Sequence, residues 1–316
     1  MLIVSTTRLT NKLEKQLIDR YPTCQFVFSE SIDEAEAYFQ DVEVLITYGE
    51  DMAEEHIDKA PNLKWIMVIS AGVEMMPLKA IEKRDVLLTN AKGIHKIPMA
   101  EYAISMLLNY YRSNLAFANA QEDKEWNQKI PTKEISHRTM SIVGAGAIGE
   151  ELARLAQAFR MKTIAVTNRG GERPYFDEVF DTDHLENALE QSDFVISILP
   201  STSKTHHFYQ PHHFKVMKQD AVFLNMGRGD AVEASVLIDA LNSGEIEHAI
   251  LDVTPIEPLP SDHEFWDHQS ITLTPHVSGK SVFYLPRALA IFEDNLNEYL
   301  NDKKPSVNVI NPSRGY

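Results

Sequence analysis

A short apolar run, Met140-Ser141-Ile142-Val143, leads into the turn Gly144-Ala145-Gly146-Ala147-Ile148-Gly149. A helical pattern follows through Glu151, Leu152, Leu155 and Ala156. This order of strand, G-x-G-x-x-G and helix constrains the fold because each glycine answers a different steric demand. Gly144 permits the tight turn, Gly146 lets a diphosphate approach the backbone, and Gly149 allows close helix–strand packing. The unpaired N–H groups at the helix start point at an anion. Residues 163 to 167 then read as a second strand. The whole reads as a dinucleotide-binding βαβ unit, and its alternative is a turn that binds nothing.

The end of that second strand bears on which dinucleotide fits. An NAD site usually carries Asp or Glu about 20 residues on, to bind the ribose 2′-hydroxyl. Here the position holds Asn168, followed by Arg169. A carboxylate would repel a 2′-phosphate, whereas Asn can donate to it and Arg can pair with it. NADP is therefore expected over NAD, with Arg173 as a further candidate. The plainer alternative is a solvated turn before Gly170-Gly171.

Strand-helix alternation runs through the rest of the chain. Residues 2–4, 25–28, 42–47, 65–69 and 86–89 read as strands, with helical stretches at 12–20, 31–39 and 52–59 between them. The pattern implies an α/β fold with doubly wound parallel sheets. A longer helix is expected from Pro98 to about 120, a polar surface connection over 122–138, a second alternation to about Pro275, and a last helix over 283–300. At 316 residues, about two domains are expected. The dinucleotide-binding domain is placed at 99–282. The substrate domain is discontinuous, combining 1–98 with 283–316. Two crossings of this kind make natural hinges, so a cleft that closes on substrate is expected.

Charge and cysteine content narrow the partners. Lys and Arg number 30 against 46 Asp and Glu, a formal net charge of −16. An acidic surface disfavours nucleic acid. The single cysteine, Cys24, excludes an intrachain disulfide and fits a reducing compartment. No stretch approaches the ~20 apolar residues of a membrane span, and the N-terminus has no signal-peptide pattern. A cytoplasmic protein with no membrane partner is expected.

Three polar residues stand out after strands of the second alternation. Arg228 lies between Gly227 and Gly229, just beyond the apolar run 221–224. Ligands of open parallel sheets bind at the carboxyl ends of strands. There an arginine can offer a planar fork to a carboxylate. Glu257 sits in a proline-stiffened loop after the run 249–253, and His276 follows the run 271–274. Each alone has an ordinary reading as a solvated side chain. Together they could converge at one sheet edge.

At this point the chain resembles the D-isomer-specific 2-hydroxyacid dehydrogenases. The resemblance rests on the glycine turn, on Leu199-Pro200-Ser201-Thr202-Ser203-Lys204-Thr205 and on Asn225-Met226-Gly227-Arg228-Gly229. It continues through Leu251-Asp252-Val253, Glu257-Pro258-Leu259-Pro260, His263, Trp266 and Thr274-Pro275-His276, with Ser70-Ala71-Gly72-Val73 near the N-terminus. The Asn168-Arg169 pair, Glu101-Tyr102 and the ending Arg314-Gly315-Tyr316 resemble the glyoxylate/hydroxypyruvate reductase branch. Most members carry Asp at the position of Asn168, and a glycine often stands at the position of His137.

The resemblance implies two Rossmann-like domains and reversible hydride transfer between a nicotinamide and a small 2-keto or 2-hydroxy acid. It implies His276 as acid/base, Glu257 orienting its ring, and Arg228 binding the substrate carboxylate and polarising the keto oxygen. A histidine titrates near ~6.5 when unperturbed, which suits a proton that moves both ways. The amides of Ala71, Gly72 and Val73 would hold the carboxylate. Gly144, Gly146, Ala147, Ile148, Gly149, Asn168, Arg169, Leu199, Pro200, Thr205, Met226, Asp252 and Gly279 would line the cofactor, with Asp252 near the carboxamide. A homodimer through the helix at 98–120 is also implied. Tyr48, Gly49 and the residues around Met75 are candidates for substrate choice.

Other readings carry less weight. The spacing of His206, His207, His212 and His213 matches no structural zinc pattern, so no metal is expected. An NAD-dependent dehydrogenase of another D-2-hydroxy acid, including phosphoglycerate, is the nearest enzymatic alternative. The corepressors of the same family sense dinucleotides without catalysis. Retention of Arg228, Glu257 and His276 argues against that role, because a sensor needs no acid/base.

Overall fold

A computed structural model of the chain describes residues 1–168, 170–302 and 304–314. The chain divides into two compact units, Met1–Ile94 with Ser281–Tyr316, and His95–Lys280. The crossings thus fall at 94/95 and 280/281, a few residues before the positions read from sequence.

The first unit is built on a five-stranded parallel sheet, β1 (Leu2–Ser5), β2 (Gln25–Phe28), β3 (Val44–Thr47), β4 (Trp65–Val68) and β5 (Leu87–Asn90), in the order β2-β1-β3-β4-β5. β3 and β4 are buried along their whole length, as central parallel strands with both faces covered must be. The edge strand β2 is partly exposed. The final helix, Tyr284–Asp302, presents Ala288, Leu289, Phe292, Leu296 and Tyr299 to this core. Phe292 stacks on Trp65 with ring centroids 5.3 Å apart. Burying an aromatic or aliphatic side chain of this size contributes roughly 1.5–3 kcal/mol. The Trp65 indole N–H, which would otherwise be buried unpaired, donates to Thr89 Oγ1 at 2.9 Å.

The second unit carries a seven-stranded parallel sheet: β6 (Thr139–Val143), β7 (Lys162–Thr167), β8 (Glu178–Asp181), β9 (Phe194–Ser197), β10 (Val222–Asn225), β11 (His248–Leu251) and β12 (Ile271–Leu273). The order is β12-β11-β10-β9-β6-β7-β8. The direction of winding reverses at β6, which pairs with β7 on one side and β9 on the other. Register aligns the strand ends: Val143 pairs with Ser197, Ser197 with Asn225, Asn225 with Leu251, and Leu251 with Leu273. The loops that follow β6, β9, β10, β11 and β12 therefore leave from one edge.

The helix expected from Pro98 to about 120 is two helices, Lys96–Tyr111 and Asn114–Glu122. Ser113 separates them with φ +54, a left-handed conformation that ends the first helix. The second helix buries no residue within the chain. No helix among the described residues is long and apolar enough to cross a membrane.

Candidate active site at the carboxyl ends of the second sheet

The glycine turn lies after β6, at the strand where the sheet reverses its winding. Gly144 has φ +94, and a Cβ there would lie 2.7 Å from the Ile198 carbonyl oxygen. Gly149 sits in the helix Ala147–Ala158, where a Cβ would lie 3.0 Å from Ile142 Cγ2. A Cβ on Gly146, by contrast, would meet nothing within 4 Å. Two glycines thus serve protein packing, and the middle one borders open space at the helix N-terminus. That arrangement fits a diphosphate, whose oxygens would take the free helix N–H groups.

Asn168 is exposed at the end of β7. Arg169 lies outside the described residues, as do Gly315 and Tyr316 of the C-terminal ending. Arg173 has its Nη1 3.5 Å from Glu150 Oε1, so it is held beside the first turn of the glycine-turn helix. Its Nε is buried with no hydrogen-bond partner among the described residues.

The turn after β10 is forced close to its neighbours. A Cβ on Gly227 would lie 2.6 Å from the Leu199 amide nitrogen, and one on Gly229 would overlap the Thr254 carbonyl. Both glycines let the Arg228 segment nest between the loops that follow β9 and β11. Arg228 is exposed, and its Nη1 donates to the Gly227 carbonyl at 2.9 Å.

Thr254 extends the assembly. Its amide donates to Glu257 Oε1 at 3.1 Å, while Glu257 Oε2 lies 2.7 Å from His276 Nδ1. A carboxylate only accepts, so Nδ1 carries the proton and Nε2 is left for other chemistry. His276 has φ +50, an uncommon conformation for a non-glycine residue. Its own amide donates to the Asp252 carbonyl at 2.8 Å and the Thr274 carbonyl at 3.1 Å, which holds that conformation.

Asp252, expected near a carboxamide, is buried beneath this loop. Its carboxylate accepts from Thr274 Oγ1 at 2.7 Å, the Val277 amide at 2.8 Å and the Ser278 amide at 2.9 Å. The Tyr102 hydroxyl closes the chain at 2.7 Å from Thr274 Oγ1. Desolvation pushes the Tyr102 phenol well up, so it stays protonated. The visible partner of Asp252 is thus the loop that presents His276.

The remaining expected cofactor residues divide by burial. The Leu199 and Met226 side chains are buried in core clusters, so a role at a nucleotide would fall to their backbone groups. Ala147 and Pro200 are exposed, whereas Ile148 and Gly279 are half-buried. The Thr205 hydroxyl donates to the Pro200 carbonyl and accepts from the Thr202 amide, bracing the loop after β9.

His95 had no signal in the sequence. Its Nδ1 lies 3.4 Å from the Gly279 carbonyl oxygen. Burial pushes its imidazole down, and the charges of Arg228 and His276 push the same way. A second histidine therefore neighbours the expected catalytic pair. Its partners come from about 130 to 180 positions along the chain, a distance that local patterns do not bridge.

In the first unit, Ala71, Gly72 and Val73 follow β4. Among the described residues their three amides find no acceptor. Three N–H groups in succession are thus donors without an acceptor among those residues. The Ala71 carbonyl is fixed by Asn90 Nδ2 at 2.6 Å.

The histidine cluster gains a third group in the structure. Glu186, from the helix Leu185–Gln191, brings a ligand atom within 4.8 Å of His212 and His213. Histidine spacing alone could not reveal this third group. His213 Nδ1 accepts the Gln210 amide at 3.0 Å, which commits that nitrogen to capping the helix Pro211–Lys215. Burial, with His212 beside it, pushes the His213 ring down to about 4.

Comparison with known proteins follows the same lines. Residues 104–278 match the model described as D-isomer specific 2-hydroxyacid dehydrogenase, NAD binding domain. The chain is 30% identical over 289 residues to glyoxylate/hydroxypyruvate reductase B of Citrobacter koseri, covering 90% of this chain and 89% of the relative. It is 32% identical to a solved D-isomer specific 2-hydroxyacid dehydrogenase family protein of Aeromonas salmonicida, with a TM-score of 0.85 and 98% of each chain covered. A solved phosphoglycerate dehydrogenase of Lactobacillus plantarum is 29% identical, covers 98% of this chain and 100% of its own, and superposes with a TM-score of 0.59.

Proposed function

Because the chain belongs to the D-isomer specific 2-hydroxyacid dehydrogenase family and resembles its glyoxylate/hydroxypyruvate reductase branch, we propose that it reduces glyoxylate or hydroxypyruvate using NADPH. The observation that carries this reading is the 2.7 Å contact of His276 with Glu257 at the end of β12, beside the Arg228 turn. A bound nicotinamide nucleotide supplies the hydride.

In this proposal the chain's own residues handle charge and the proton. Addition at the keto carbon leaves negative charge on oxygen, and His276 delivers a proton to it from Nε2. Glu257 holds the ring by its Nδ1 proton, which fixes the ring and leaves Nε2 for the transfer. The Arg228 guanidinium binds the substrate carboxylate and polarises the keto oxygen. The free amides of Ala71, Gly72 and Val73 are the proposed further donors to that carboxylate. The glycine turn would hold the diphosphate, and the Asp252-braced loop and Gly279 would help hold the rest of the nucleotide.

The preference for NADPH rests on Asn168, an uncharged residue where a carboxylate would repel a 2′-phosphate. Arg169 is the proposed phosphate partner. Steady-state rates with glyoxylate, hydroxypyruvate and bulkier 2-keto acids, each with NADPH and NADH, test the reading. Turnover with NADPH is expected to exceed turnover with NADH. Arg169→Ala is expected to weaken NADPH by at least ~10-fold while changing NADH little, the loss of one charge-assisted contact. Equal losses for both nucleotides would contradict the phosphate assignment.

We extend the proposal to a homodimer formed through the segment after Tyr111. Its support is apolar surface: Leu115 is 74% exposed, Phe117 41% and Trp126 92%. Sedimentation equilibrium is expected to give twice the chain mass, and a monomer at micromolar concentration would remove this part.

A further inference from the structure

We propose that Glu74 and Glu50 form a charge filter beside the Ala71–Val73 amides. The filter admits 2-keto acids with an uncharged side chain and turns away those bearing a second anion. This rests on the proposed function and narrows its substrate class.

The filter is built from two loops of the first unit, those after β3 and β4. The Ser70 hydroxyl lies 3.2 Å from the Tyr48 carbonyl oxygen and 3.0 Å from that of Gly72, stapling one loop to the other. Gly49 presses against the second loop, since a Cβ there would lie 3.0 Å from Met76 Sδ. Its φ of +93 makes glycine the natural occupant. Tyr48, Gly49 and Glu50 are therefore fixed beside Ala71, Gly72 and Val73.

Glu74 folds back over this arrangement. A Cβ on Gly72 would collide with Glu74 Oε2, so the carboxylate lies directly across the Gly72 backbone. Glu50 is exposed on the adjoining loop. A third carboxylate, Asp51, accepts the Thr47 hydroxyl at 2.6 Å and stiffens the loop base. Residues 47–51 and 70–78 contain no Lys, Arg or His. Phosphate recognition draws on guanidinium or ammonium groups, and these loops supply none. One substrate carboxylate finds three amides there, whereas these two loops offer a second anion only carboxylates.

A matched pair of substrates tests the filter: hydroxypyruvate and its O-phosphate, with whichever nucleotide supports turnover. For the unmodified protein, kcat/KM is expected to favour hydroxypyruvate by ~100-fold or more, a ratio that like-charge juxtaposition produces. Raising ionic strength is expected to narrow that ratio, because screening weakens repulsion between exposed charges and leaves a steric barrier untouched. Glu74→Gln, an exposed and nearly isosteric change, is expected to narrow it by ~10-fold, with Glu50→Gln acting in the same direction. Equal or better use of the O-phosphate would overturn the filter while leaving the reductase reading intact. So would a ratio that neither salt nor the two variants move. No reduction of any 2-keto acid with either nucleotide would overturn the reductase reading, and the filter with it.

Discussion

Replacing His276 by Asn lowers kcat by at least ~100-fold and leaves nucleotide affinity near that of the unmodified protein, if the imidazole moves the proton. Asn is chosen because the backbone there has φ +50, a conformation that Asn tolerates better than most residues. The His276 amide bonds to the Asp252 and Thr274 carbonyls then survive, and the loop keeps its path. What disappears is a group able to hold a proton on Nδ1 and exchange one at Nε2. The proposed nucleotide site, the glycine turn, follows a different strand, so the substitution leaves its shape unchanged. Initial rates read from nicotinamide absorbance, with fluorescence titration of the nucleotide, separate the two effects. Near-normal turnover would take His276 out of the acid/base role. A parallel collapse of nucleotide binding would assign it to structure instead.

The features legible in sequence are those whose cause is local. Gly144 and Gly149 carry their reasons in their missing Cβ, and each has a close neighbour where a side chain would stand. The buried central strands read as apolar runs because a parallel sheet covers both faces. The alignment of Arg228, Glu257 and His276 was within reach for a related reason. Each follows a strand, and parallel strands in register send their loops to one edge.

What sequence left hidden depends on partners far along the chain or on the path of a single residue. Ser113 is no strong helix breaker, yet its left-handed φ divides one expected helix into two. His95 gains meaning only from Gly279, Arg228 and His276. Asp252 carries no mark that its carboxylate braces a loop through Thr274, Val277 and Ser278. Glu74 reads as one more surface acid until its carboxylate is seen lying over Gly72. Side-chain direction, not residue type, decides these cases, and periodicity says nothing about it.

Arg228→Gln is the second variant with a large expected effect, lowering kcat/KM by ~100- to 1,000-fold, comparable to removing one donor from an oxyanion site. The argument begins with the two glycines. Gly227 and Gly229 bring the turn hard against the loops of Leu199 and Thr254, so the arginine backbone has little freedom. The Nη1 contact with the Gly227 carbonyl further restrains the guanidinium. A restrained fork can meet a planar carboxylate with two parallel bonds and still stabilise charge arising on the keto oxygen. Gln retains a donor but loses the charge, so both KM and kcat are expected to worsen. Arg228→Lys separates charge from geometry. It restores the cation on a flexible stem without the fork, and its kcat/KM is expected to fall between those of Gln and Arg. If Lys matched Arg, the role would reduce to a point charge. If Gln matched Arg, substrate binding would have to be assigned elsewhere, with the unpaired amides of Ala71, Gly72 and Val73 the first place to look.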